Sequence, residues 1–372
     1  MKNLVKNLPI ITVATDPIYI GTGGYTIGRV DNTIVRDPIT KIPKIPGTSL
    51  AGTWRYYMAL HLQRLFKDEY ISTRKKRANV KEIKELFSCN TMDSKNAHEQ
   101  GTENWIFYEG NKYSAIKCAG QDELPQVEYS DSHTKDKGHC GRCIVCKGFG
   151  FSKKDISWQG MLLFSDLNIL LFPVYTRYGV KWITSEKIMK EAGLLEEETD
   201  KINEKNTNRE ERRPDIIVFS EKASDKKENW LNLGWINLPY QVKKIALNLD
   251  VIENLTKISS KDICMVPDSL ISQIINSNLE VRTSVSIDPL TGAAKEGALF
   301  TSEAMPRATV FYGNIRIFDK SMFNALDAIT HELPSAQQLE YALKDTGCYF
   351  ETLGIGGMTT RGFGRFKIHI NP

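Results

Sequence analysis

The chain has 372 residues, 41% of them hydrophobic and 25% charged, with 49 Lys+Arg against 45 Asp+Glu and a formal net charge of +4. These values exclude a disordered tail or a fibrous repeat, and no apolar run reaches the ~18 residues that a membrane span needs. The start, MKNLVKNLPIITVATDP, lacks the apolar stretch and cleavage site of a signal peptide. The expectation is therefore a cytoplasmic protein with no membrane partner, whose total charge is too small to announce nucleic-acid binding by itself.

Residues 8–20 are rich in Ile, Val, Thr and Tyr and predict a first strand. The uncharged turn GTGGYTIG follows, and it is not a dinucleotide fingerprint because no helix pattern opens after it. Asp31 and Asp37 come next, in a stretch that also holds Arg29 and Arg36. A loop carboxylate among arginines suits a divalent ion or proton transfer at a phosphodiester, although its default role is to stabilise a turn. Pro38, Pro43 and Pro46 keep this stretch extended or looped. Leu50, Trp54, Met58, Leu62 and Leu65 then fall on one helical face, with Thr48 or Ser49 as N-cap. The start of that helix offers free N–H groups to an anion, with Arg55 about one and a half turns further on.

Residues 67–150 are polar, include the basic run Arg74, Lys75, Lys76, Arg77, and end in HCGRCIVCKGFG. Two successive Cys-x-x-Cys steps let the thiolates of Cys140, Cys143 and Cys146 converge on one ion, and a segment this poor in apolar periodicity has reason to need one. Structural zinc requires a fourth ligand. His133 is preferred over His139, which adjoins Cys140, and over Cys118; an iron–sulfur cluster is the rival reading. Residues 160–176 form an apolar strand region broken by Asp166 and Pro173, and the charged stretch within 185–235 carries eight acidic and five basic residues between 196 and 215. Strand-like pieces follow around 236–252. In 280–307 the arms VRTSVSID and ALFTSEAMP flank Pro289, Gly292 and Gly297, the pattern of a protruding hairpin. RATVFYGNIRI returns to the sheet, a helix carries Leu339 and Leu343, and LGIGGMTTRGFGR closes the pattern with five glycines in thirteen residues around Arg361 and Arg365. Glycine lets backbone N–H groups approach a phosphate and arginine adds charge-assisted contacts, whereas the plainer account is a glycine-rich turn entering a last strand. Strands alternating with a few helices, without a short repeat, predict an α+β sheet with insertions.

Four segments together resemble the RAMP superfamily, in particular the repeated backbone subunit of type III CRISPR effector complexes. They are GTGGYTIGRVDNTIVRDPITKIPKIPGTSLAGTWR, FSDLNILLFPVYTRYGVKWIT, IDPLTGAAKEGALFTSEAMPRATVFYG and LGIGGMTTRGFGR, and the likeness runs from residue 10 to 366 with insertions. The resemblance implies one ferredoxin-like, RRM-like core across 1–372, elaborated by a zinc-binding fingers insertion (67–150), a charged insertion (185–235) and a thumb hairpin (280–307). It implies binding of guide CRISPR RNA and of single-stranded target RNA beside copies of itself and sister subunits. Asp31 then matches the aspartate that supports Mg2+- or Mn2+-dependent endonuclease cleavage of the target through internal 2′-OH attack. Ser49, Arg55, Gly356, Gly357, Arg361 and Arg365 fall in segments expected to hold the guide's phosphates. Thr33 stands where proline is usual and Ala51 where lysine is usual, which leaves a second reading, a guide-binding scaffold that does not cut.

Overall fold

The computed structural model describes residues 4–23, 30–65, 116–119, 139, 143–153, 156–195, 216–219, 229–243, 250–326 and 333–370. The strands in chain order begin with β1 (Val5–Ala14), β2 (Lys44–Ile45), β3 (Phe151–Lys153), β4 (Ile156–Trp158), β5 (Leu162–Phe164), β6 (Leu167–Thr176) and β7 (Gly179–Thr184). They continue with β8 (Ile216–Phe219), β9 (Asn229–Leu233), β10 (Ile236–Lys243), β11 (Ile263–Met265), β12 (Glu280–Ile287), β13 (Ala294–Ala304), β14 (Val310–Phe318) and β15 (Phe366–Ile370). The chain divides into two compact units. The first comprises residues 1–9, 47–165 and 314–349, the second 10–46, 166–313 and 350–372, so β1 and β14 each contribute residues to both.

In the first unit the helix Gly47–Leu65 buries the predicted face, with Leu50, Trp54 and Met58 inaccessible and Leu62 nearly so. It starts one or two residues before the expected cap, at Gly47, where a Cβ would lie 2.7 Å from the carbonyl oxygen of Phe164. Trp54 is fixed chemically as well as by packing: its indole N–H donates to Thr346 Oγ1 at 2.9 Å. Thr346 belongs to the helix Ala336–Gly347, which opens with a capping box between Ser335 and Gln338 and buries Leu339 and Leu343. On its flank Glu340 accepts from Lys6 at 2.5 Å and pairs with Lys344 at 2.9 Å. β5 pairs antiparallel with the last residues of β14.

In the second unit the strands follow the order β15-β1-β14-β6-β7-β11-β8-β10-β9. β1 pairs antiparallel with β15, β14 with β6 and β6 with β7, whereas β7 with β11 and β8 with β10 are parallel. β1 ends at Ala14, short of the expected 20, because Asp16-Pro17 turns the chain and Ile18 instead bridges Met305. Asp166 does break the apolar region, falling between β5 and β6, while Pro173 lies inside β6 opposite Trp182. Phe172, Ile183 and Phe311 are fully buried, and Phe350 stacks on Phe366 at 4.9 Å. Beyond β10, the expected strand region 236–252 ends in the first residues of the helix Asp250–Thr256, and the helix Asp268–Ser277 buries Ile271, Ile274 and Ile275. The predicted hairpin is present as β12 and β13, with a bulge between Val285 and Ile287. Asp288 shapes its turn by accepting from the Leu290 amide at 2.7 Å.

Candidate functional site

The stretch carrying both candidate aspartates is stitched to the hairpin strand β13. Asn32 bridges Ser302 in parallel register, its amide donating to the Thr301 carbonyl at 3.0 Å and its own carbonyl accepting from Glu303 N at 3.0 Å. Two residues on, the amide of Ile34 donates to Glu303 Oε2 at 3.4 Å, and Arg36 pairs with Glu303 at 2.7 Å while its Nε donates to Asn276 Oδ1 at 2.8 Å. Asp31 is exposed at the head of this frame. Its Oδ2 accepts from the Thr301 amide at 2.7 Å and from the Thr301 hydroxyl at 2.9 Å, and the Asp31 amide donates back to Thr301 Oγ1 at 3.1 Å. The bonds from the Thr301 amide first, then from its hydroxyl, favour the charged form and hold the Asp31 carboxyl below its ordinary range.

Asp37 does different work. Its Oδ1 accepts from the amides of Ile39 and Thr40, both at 2.9 Å, and its Oδ2 pairs with Lys44 at 3.2 Å, while Lys44 also reaches Asp166 at 2.7 Å. The Thr40 and Ile39 amides, more than the lysine, push the Asp37 carboxyl down to about 2. Both Asp37 oxygens are thus engaged, Oδ1 in the turn and Oδ2 with Lys44 of β2, whereas Asp31 Oδ1 has no hydrogen-bond partner among the described residues.

The glycine-rich segment folds against residues 16–20 of the same unit. Gly357 N donates to the Tyr19 carbonyl at 3.2 Å and Gly364 N to the Pro17 carbonyl at 2.8 Å. Gly356 has φ +80°, and a Cβ there would lie 2.2 Å from the Tyr19 carbonyl oxygen, so only glycine fits. The plain account of this segment, a tight turn entering a last strand, therefore explains much of its composition. Its arginines divide. Arg365 Nε pairs with Asp16 Oδ2 at 2.6 Å, while the exposed Arg361 lies over the ring of Phe300 on β13 at 5.7 Å. In the opposite sense Arg282 of β12 lies over Phe363 at 4.8 Å and its guanidinium donates to the Gly362 carbonyl at 3.3 Å. The hairpin base thus carries Asp31 on Thr301 and, through the neighbouring Phe300, the arginine of the glycine turn. Thr301, Phe300 and Arg282 carry no local sequence signal; cross-strand register alone brings them to the site.

Ser49 and Arg55 lie in the first unit. Ser49 is half-buried at the third position of its helix. Arg55 Nε donates to the Cys118 carbonyl at 2.7 Å and its Nη2 lies 3.1 Å from His139 Nδ1, so this guanidinium holds two protein segments. Those segments border a cluster of thiols. Cys118, Cys143 and Cys146 are buried with their sulfurs all within 4.8 Å of one another. The amide of Cys146 donates to Cys143 Sγ at 3.5 Å, which caps the short helix Ile144–Phe149. Buried convergence of three sulfur donors fits a metal ion such as zinc, because soft thiolate ligands gathered at one point are what such an ion prefers. Cys118, the alternative that spacing ranked below His133, is in the cluster, and Cys140 and His133 lie outside the described residues. Among the described residues no helix is long and apolar enough to cross a membrane.

A mixed sheet with helices, a hairpin clasping the exposed aspartate, and a terminal glycine turn define an α+β protein of the type that the motifs suggested. The RAMP-superfamily model matches residues 11–367, and the chain belongs to that superfamily. Among curated proteins it resembles the CRISPR system Cms endoribonuclease Csm3 of Enterococcus italicus, 45% identical over 47 residues, which are 12% of this chain and 22% of that protein. The protein of the same name from Mycobacterium tuberculosis is 36% identical over 85 residues, 17% of this chain and 36% of that one. The chain thus aligns with well under two thirds of either relative's length. Among solved structures, a type III-B Cmr-beta complex in its apo state contains a chain aligned over 98% of this one and 96% of its own length, with 16% identity and a TM-score of 0.49. Oligomeric Cmr4 from Pyrococcus furiosus aligns over 98% and 97% with 16% identity and a TM-score of 0.45.

Proposed function

We propose that this chain is the guide-RNA-binding backbone subunit of a type III CRISPR effector complex and cuts complementary single-stranded target RNA at regular intervals. The observation that carries this reading is the exposed Asp31 carboxylate, clasped by the thumb strand β13 in the same unit as the glycine turn and Arg361. Superfamily membership and local likeness to proteins named endoribonucleases support it. The order β15-β1-β14-β6, with helices falling in the chain after the first of these strands and before the last, supports a ferredoxin-like, RRM-like core. Gly356, Gly357, Arg361 and Arg365, with Ser49 and Arg55, are the groups proposed to face guide phosphates; Arg361 is the one whose exposure suits it best.

The reaction class follows from one carboxylate and an RNA substrate. When a base is flipped out, the adjacent ribose 2′-OH gains room to align with its own 3′ phosphorus. Attack forms the bond from O2′ to phosphorus and breaks the bond from phosphorus to the 5′ oxygen of the next nucleotide, leaving a 2′,3′-cyclic phosphate; the 2′ proton passes to Asp31 and the departing 5′ oxygen takes its proton from water. A carboxylate held below the usual range is a weak base, so Asp31 Oδ1 accepts the hydrogen bond first and the proton only as the new P–O bond forms. A divalent cation, Mg2+ or Mn2+, would supply charge stabilisation at the phosphate when bound; if Asp31 held that cation instead, Oδ1 would be its ligand and would not be the proton acceptor. Zinc is proposed at Cys118, Cys143 and Cys146 in a structural role, completed by Cys140, His133 or His139.

The test uses the assembled complex, labelled complementary RNA and Mg2+. Asp31→Ala is expected to slow cleavage at least about a hundredfold at unchanged target affinity, with wild-type products ending in cyclic phosphate. Unaltered, regularly spaced products from Asp31→Ala would refute the catalytic role.

A further inference from the structure

Thr301 holds residue 31 at two points with one hydroxyl. Thr301 Oγ1 donates to Asp31 Oδ2 at 2.9 Å and accepts from the Asp31 amide at 3.1 Å, and the Thr301 amide adds a third bond to Oδ2 at 2.7 Å. An exposed aspartate would otherwise sample several rotamers. Here backbone and carboxylate of the same residue are tied to one atom of β13, which leaves Oδ1 as the oxygen directed away from the clasp. The surrounding frame does not depend on that hydroxyl: Asn32 N bonds the Thr301 carbonyl at 3.0 Å, Glu303 N bonds the Asn32 carbonyl at 3.0 Å, and Arg36 pairs with Glu303 at 2.7 Å.

We infer that Thr301 is a positioning residue for Asp31, fixing Oδ2 on the thumb strand so that Oδ1 meets the attacking 2′-hydroxyl in one orientation. The inference rests on the proposed cleavage at Asp31. The hairpin strand β13 would then hold the acceptor oxygen's carboxylate through its own backbone and side chain. Arg36 and Glu303 serve the loop; Thr301 serves the carboxylate.

Because the frame stays in place, replacing the hydroxyl isolates its contribution. Thr301→Val keeps the β-branched shape and strand preference and loses both hydroxyl bonds, while Thr301→Ser keeps the hydroxyl. In single-turnover assays with assembled complex, labelled target RNA and Mg2+, Thr301→Val is expected to cleave roughly ten- to a hundredfold more slowly at unchanged target affinity, the scale of a misplaced reacting group. Thr301→Ser is expected to recover most of that rate. Wild-type cleavage by Thr301→Val beside inactive Asp31→Ala overturns this inference and leaves Asp31 catalytic. Loss of target binding by Thr301→Val, or equal slowing by Val and Ser, also overturns it, since the residue would then serve the architecture. Normal cleavage by Asp31→Ala overturns the reading beneath it.

Discussion

Asp31 and Asp37 stand six residues apart among the same arginines, yet the chain gives them opposite employments. Asp37 has both oxygens engaged: the Thr40 and Ile39 amides of its turn bond one and Lys44 of β2 the other, and its carboxyl is pushed down to about 2 from an ordinary 3.8. A folded value below the unfolded one means that Asp37 stabilises the fold above the unfolded pKa and loses that contribution as pH falls through about 2. Asp37→Asn is therefore expected to be less stable than the parent near neutrality, with the gap narrowing as urea titrations are moved below about pH 4 and no change in cleavage pattern at neutral pH. A gap that stays constant with pH would show that the carboxylate charge is irrelevant to the turn. Spacing alone could not separate the two aspartates, because the choice depends on Thr301, 270 positions away, and on how the chain bends at Pro38.

Among the elements, the helix Gly47–Leu65 was the most legible, since its apolar face repeats at helical spacing and needs no partner to be recognised. Its partner was less so. The contact that orients it, Trp54 Nε1–H to Thr346 Oγ1 at 2.9 Å, joins residues 292 positions apart. Trp54→Ala is expected to cost about 3–5 kcal/mol, through lost burial and a cavity, whereas Tyr56→Ala, 42% exposed on the same helix, should stay within about 0.5 kcal/mol. Chemical denaturation of both variants tests this; equal losses would mean that the helix is not seated by its tryptophan face. The hairpin was legible for a different reason, its turn residues, although the pattern said nothing about Asp31 lying against β13. The short strands β8 and β11 escaped notice because three or four residues cannot establish a period, and β8 is defined by its neighbours β10 and β11. The strand expected over 236–252 overran by three residues into the helix Asp250–Thr256, because Val251 and Ile252 favour strands locally, a preference that the surrounding chain overrode.

At the scale of the molecule, the charge difference of 49 against 45 no longer argues against an RNA partner, because phosphate contacts depend on where arginines stand rather than on their sum. Arg361 is exposed on Phe300, while Arg36, Arg55 and Arg365 are engaged with protein groups. The thiol cluster gives the molecule-wide prediction. Purified protein is expected to carry about one zinc per chain, and chelation, or Cys143→Ser, should lower the melting temperature, with Zn2+ but not Mg2+ restoring it. With thiolates as the proposed ligands, the metal should be lost as pH falls. Protein that contains no stoichiometric metal and melts unchanged in chelator would sink this assignment. What the sequence by itself determined were features with a local period or a local chemistry: the amphipathic helix, the Cys-x-x-Cys step from 143 to 146, the hairpin turn and the glycines. What only the tertiary structure decided were pairings between distant segments: Cys118 beside Cys143 and Cys146, Arg55 on Cys118 and His139, and Thr301 clasping Asp31. The physical reason is that such contacts are set by strand register and helix packing, and a one-residue slip in β13 would turn Thr301 to the other face of its strand while leaving every motif in the sequence unchanged.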